Sequence, residues 1–97
     1  DTNKGNVRVR IYDSKGKPMP DLYVRCMFYD EIDPDNLEVY QVDLKTNEKG
    51  VCISDLLDYQ YLNQVQIRNG DTLIHEKVFN LELTDHGYDL KFTEKKE

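Results

Sequence analysis

Period two is the feature of this chain that most limits its fold. Apolar residues recur at alternate positions in run after run, and turn-forming residues cut the runs about every ten residues. In Val7–Tyr12, Val7, Val9 and Ile11 share one side of an extended chain, while Arg8, Arg10 and Tyr12 share the other. Such a strand buries its first side and leaves its second in water. Asp13–Pro20 stops it: Gly16 supplies a positive φ, and Pro18 and Pro20 lack the N–H that a ladder requires. Leu22–Tyr29 alternates again, with Leu22, Val24, Cys26 and Phe28 set against Tyr23, Arg25, Met27 and Tyr29.

Asp30–Asn36 breaks the pattern with four carboxylates and a proline and reads as an exposed acidic loop. Leu37–Lys45 resumes extended structure, with Tyr40, Val42 and Leu44 as the inward set. Thr46–Gly50 is a tight turn with Gly50 at the position that needs positive φ, and Val51–Ser54 is a short strand. Asp55–Tyr59 has room for one helical turn, capped by Ser54 or Asp55. Leu62–Arg68 follows, with Val65 and Ile67 on one face. Asn69-Gly70 then predicts a type I′ hairpin into a return strand that alternates at Phe79, Leu81 and Leu83. Thr84–Gly87 turns the chain into a last strand carrying Tyr88, Leu90 and Phe92.

Seven short strands and no amphipathic helix of useful length predict an all-β fold. The economical form is a seven-stranded antiparallel sandwich of two sheets, prealbumin-like or Ig-like, that share one buried face. Residues 1–5 read as a disordered lead-in, 6–93 as a single domain and 94–97 as a frayed tail. The expected core is Val7, Val9, Ile11, Leu22, Val24, Phe28, Val65, Ile67, Leu90 and Phe92. A length of 97 residues suits one domain. Thirteen basic residues against nineteen acidic give a net charge of −6, without the basic stripe of a nucleic-acid binder. No apolar run approaches the roughly 20 residues that cross a bilayer as a helix, and the opening residues do not read as an apolar leader.

Two motifs point further. Gly5-Asn-Val-Arg-Val-Arg-Ile-Tyr-Asp-Ser-Lys-Gly-Lys-Pro-Met-Pro20 combines a glycine, an alternating strand and a Gly-Lys-Pro-x-Pro turn. The turn Thr46-Asn-Glu-Lys-Gly50 leads into a short strand with Cys52, and then Leu56. In order and spacing these resemble the carboxypeptidase regulatory-like domains of the transthyretin (prealbumin)-like sandwich group, across most of residues 5–93. The resemblance implies a non-catalytic structural or binding module of an exported, periplasmic or cell-surface bacterial protein, such as the lipoproteins of Bacteroides-type bacteria. Its partner would be a protein or a glycan. Hydrolases of the transthyretin-like fold are the alternative. They carry a His/Arg cluster and a closing Tyr-Arg-Gly-Ser, whereas Thr93–Glu97 here has no such tail.

Several side chains are candidates for chemistry. Cys26 and Cys52 both fall at inward positions and form either one disulfide across the sandwich or two buried thiols. The bridge would close a loop of about 25 residues and contribute roughly 3–4 kcal/mol. Neither has the Cys-x-x-Cys or nearby His of a zinc site. His75 and His86 lack a nucleophile at recognisable spacing, and Ser14 and Ser54 lack the Gly-x-Ser-x-Gly elbow. Asp30, Glu31, Asp33 and Asp35 offer calcium ligands, without the Gly and spacing of an EF-hand loop. Tyr23, Tyr29, Tyr40, Tyr59 and Tyr61 offer a carbohydrate platform, the aromatic faces stacking on sugar C–H surfaces. Lys15 and Lys17 lie in a turn, away from the inward position an internal isopeptide bond requires. No cofactor and no catalytic residue is expected.

Overall fold

The computed structural model describes residues 6–54, 59–83 and 87–94. Seven strands follow the alternation: β1 (Val7–Tyr12), β2 (Tyr23–Asp33), β3 (Asn36–Lys45), β4 (Val51–Ile53), β5 (Tyr61–Asn69), β6 (Thr72–Glu82) and β7 (Tyr88–Thr93). They form a three-stranded sheet in the order β4-β1-β7 and a four-stranded sheet in the order β3-β2-β5-β6. The fold is all-β, and the two sheets pack as a sandwich. The expected helical turn at Asp55–Tyr59 falls almost wholly outside the described residues, as do Leu56, most of the Thr84–Gly87 turn, the lead-in and most of the tail.

The inward residues of both sheets meet in one core. Val7, Val9 and Ile11 of β1, with Cys52 of β4 and Phe92 of β7, face Val24, Cys26 and Phe28 of β2 and Leu62, Val65 and Ile67 of β5. Leu22 and Leu83 close it from outside the strands. Leu90 is only half-buried, because β7 is an edge strand covered from one side. Tyr40, Val42 and Leu44 point inward as expected and are half-buried for the same reason on β3.

Four details depart from the sequence reading. First, the sandwich is not antiparallel throughout: β1 and β7 pair in parallel from Val7↔Tyr88 to Tyr12↔Thr93. The chain enters and leaves this sheet in the same direction, and hydrophobic alternation carries no information about strand direction. Second, Asp30–Asn36 is not a loop. β2 and β3 continue through it as a ladder to Asp33↔Asn36, and only Pro34-Asp35 turns the hairpin. Every residue from Glu31 to Val39 is exposed, so no inward position there needed to be apolar. Third, the β5–β6 turn is Gly70-Asp71, flanked by the pair Asn69↔Thr72. Positive φ falls on Gly70 (62°) and not on Asn69, the pattern of a II′ turn in place of the expected I′. Fourth, β5 bulges at Asn63, between Phe28↔Leu62 and Met27↔Gln64. The extra residue lets Leu62 and Val65, three apart, both point into the core.

The two motif turns meet in space. Gly50 has φ 72°, and a Cβ there would lie 2.6 Å from the Ile11 carbonyl oxygen and 2.9 Å from the Met19 nitrogen. Thr46, buried, ties the same corner. Its hydroxyl accepts from the Leu22 N–H and donates to the Met19 carbonyl, both at 2.9 Å. Ser54 plays the matching part for β1, accepting from the Val7 N–H at 2.9 Å and donating to the Val7 carbonyl at 3.1 Å.

Candidate functional site

The fold disperses the side chains that carry reactive chemistry. Cys26 and Cys52 come from opposite sheets and are free, buried thiols, the second of the two alternatives. Burial pushes Cys26 up to about 12, with the Cys52 thiol and Asp43 adding to the shift. Burial alone pushes Cys52 up to about 11. Neither sulfur is a nucleophile at neutral pH, since the thiolate is the reactive form. His75 stands on the inner side of β6, tilted against Phe92 with ring centroids 5.4 Å apart. Its Nε2 is buried without a hydrogen-bond partner. Burial holds its pKa below the ordinary histidine value, against a small opposing pull from Glu94. His86 lies outside the described residues.

The calcium candidates are not brought together. Asp30 and Glu31 are neighbours on a strand and so point to opposite faces. The Asp30 carboxylate accepts the Gln60 N–H at 2.8 Å. Asp33 accepts the Asp35 N–H at 3.0 Å within the hairpin turn. Among the described residues, no group of three or more His, Cys, Asp or Glu is arranged to hold a metal ion.

The five tyrosines divide into two groups. Tyr40 and Tyr59 are on the core side, stacked at 4.5 Å, with Tyr59 also stacked on Phe28 at 5.1 Å. The Tyr40 hydroxyl donates to Glu38 at 2.7 Å; that bond, burial and the nearby carboxylates raise its pKa to about 12. Tyr23, Tyr29 and Tyr61 lie on the outer face of the four-stranded sheet. Tyr29 and Tyr61 oppose each other on β2 and β5 and stack at 4.8 Å with a 13° interplanar angle. Each ring therefore spends one face on the other, and the five do not form a single coplanar platform.

What remains is the outer face and free edge of the four-stranded sheet, which no further layer among the described residues covers. Its face is polar and charge-graded. At one end Tyr23 lies between Lys45 of β3 and Arg68 of β5, with the Lys45 ammonium 5.6 Å from the ring centre. Arg25 pairs with Asp43 at 3.0 Å, and these residues with Gln66 line a shallow hollow. Gln66 donates to Glu76 at 2.6 Å across the β5–β6 pair. At the other end, the β2–β3 hairpin exposes Ile32, Leu37 and Val39 to 59%, 56% and 60%. Between Arg25 and Lys45 the sequence has six carboxylates and no basic residue. Gln60 fixes this hairpin at its base: its N–H donates to Asp30 and its side-chain carbonyl accepts the Glu31 N–H, each at 2.8 Å.

The hairpin is the feature that reading from alternation missed. The signal was present in the Val39, Leu37 and Ile32 positions flanking a Pro-Asp turn, but carboxylates beside them mimic a loop. Comparison with protein-family models and with curated proteins finds no match to this chain.

Proposed function

We propose that this chain is a non-catalytic structural or binding module of an exported or cell-surface bacterial protein, possessing the role that its resemblance to carboxypeptidase regulatory-like domains implies. The observation that carries the reading is the uncovered outer face and edge of the four-stranded sheet, with solvent-exposed apolar side chains on a hydrogen-bonded framework. Both thiols are sealed in the core, and His75 has no carboxylate or hydroxyl bonded to its buried ring nitrogen. A general base needs such a partner to orient and tune it. The exposed carboxylates Asp43 and Asp89 are held by arginines, Asp43 by Arg25 and Asp89 by Arg8 and Arg10. They serve as surface ion pairs.

The test is a hydrolysis screen against esters, peptides and ureide-type amides, run on the chain and on His75→Ala and His86→Ala. The expected result is no turnover above buffer for any of the three. Turnover by the parent chain that disappears in either variant would overturn the proposal. Fractionation of the source bacterium, probed with an antibody to this chain, should place the protein in the periplasmic or surface fraction.

A further inference from the structure

We infer that the free edge of β3, at the acidic end of the β2–β3 hairpin, docks an extended cationic–apolar segment of a partner protein, which adds to the four-stranded sheet as a fifth strand. The inference rests on the binding-module reading and names the partner's chemistry.

The four strand edges of the sandwich differ in how they are guarded. Unpaired edges invite further pairing, and proteins blunt them with short strands, bulges and inward-pointing charges. β4 has three residues and β7 six. β6 is long, but its register breaks twice against β5, and it sets Lys77 opposite the core residue Val65. β3 carries only one of these devices, the charge of Glu38 on its inner side near the tip. It runs ten residues, and its pairing with β2 is unbroken from Lys45 to Leu37. The single irregularity of that ladder lies at the tip, between Glu31 and Asp33 on β2. The strand thus offers a straight row of backbone donors and acceptors beside exposed Leu37 and Val39.

Charge identifies the occupant. Asp30, Glu31, Asp33, Asp35 and Glu38 crowd this end, and no basic side chain lies between Arg25 and Lys45 in the hairpin sequence. A second copy would bring a single cation, Lys45 at the far end of β3, against these five carboxylates. A strand of alternating apolar and basic residues fits instead. Apolar side chains would lie beside Leu37 and Val39 on the outer face. Basic ones, one position along, would meet Glu38 on the other face and the tip carboxylates beyond it. Main-chain bonds would supply attachment, and the alternate side chains selection.

The probe is a synthetic seven-residue peptide, Val-Lys-Ile-Arg-Val-Lys-Val with blocked ends, followed by fluorescence anisotropy and by backbone amide shifts of the labelled protein. The expected result is saturable binding, with shifts concentrated at residues 37–43. The same peptide N-methylated at alternate backbone nitrogens keeps its charge and loses its donors, and should bind about tenfold or more weakly. Val39→Lys should weaken binding about tenfold, while Val78→Lys on the β6 edge should leave it within about twofold. Both positions are exposed, so thermal melts should be unchanged in either variant. Equal binding of the N-methylated peptide, shifts centred away from β3, a concentration-dependent dimer along this edge, or no binding at all would each overturn the inference. Shifts confined to the polar centre of the outer face would do so while leaving the binding-module reading standing.

Discussion

Thr46 illustrates how much of this fold depends on single polar atoms. Its hydroxyl satisfies the buried Leu22 N–H and the Met19 carbonyl together, while its backbone pairs with Asp21 and Leu22. Thr46→Val keeps the shape but leaves the N–H without a partner, and should cost about 1–3 kcal/mol in urea denaturation. Thr46→Ser should recover most of it. Gly50→Ala meets both a positive φ and the Ile11 carbonyl at 2.6 Å, so a loss of roughly 1–3 kcal/mol or more is expected from the same measurement. The demand for glycine at position 50 was legible, because turn chemistry is local. The work of Thr46 and Ser54 was not, since each bonds across more than twenty residues of sequence and a hydroxyl gives no sign of its partner. Cys26 and Cys52 were legible as inward but not as free. Their raised pKa values predict that a thiol reagent at pH 8 leaves the native protein unmodified and labels both only after denaturant is added.

At the scale of elements, the strands divide into those that bury a face and the hairpin end that buries none. Phe28 sits at the centre of β2 and is fully buried, and truncating it to Ala should cost roughly 3–5 kcal/mol. Leu37→Lys, on the same hairpin, should change stability by less than about half a kcal/mol. Equal losses from the two would mean that the hairpin packs against something. The contrast also explains what alternation can and cannot show. Val24, Cys26 and Phe28 announce a strand because a second sheet demands apolar side chains at those positions. From Glu31 to Val39 no second sheet makes that demand, so carboxylates occupy a ladder that runs on to Asp33↔Asn36 with one irregularity, at Ile32. The candidate site was therefore hidden where sequence and strand period part company. The Asn69-Gly70 signal placed the second hairpin to within one residue, because Gly can serve either as the second central residue of one turn or as the first of another.

For the molecule as a whole, titration sets a stability plateau. His75 has its pKa lowered by burial, so the unfolded chain binds that proton more readily; stability should fall as pH drops below about 6.5. Asp13, Asp43 and Asp89 are lowered by their hydrogen bonds to the Lys17 N–H, Arg25 and Arg8 respectively, and add a second loss below about pH 4. Cys26, Cys52 and Tyr40 are raised, so stability should decline again as their unfolded-state forms ionise above about pH 8.5 to 10. Urea midpoints measured across pH should trace that plateau, and His75→Gln should flatten only its near-neutral acid shoulder. The two-sheet sandwich was readable from the sequence, because seven half-buried strands have few other ways to hide their faces. The direction of β7 was not, since pairing partners are chosen by the whole topology. That direction has a mechanical meaning. The first and last strands are parallel neighbours over six paired residues, so tension applied before Val7 and after Thr93 pulls them past each other lengthwise. The load would be shared by the whole β1–β7 ladder at once, where a hairpin pulled from its open end would unzip bond by bond. A chain stretched between two anchors would meet its greatest resistance at this seam.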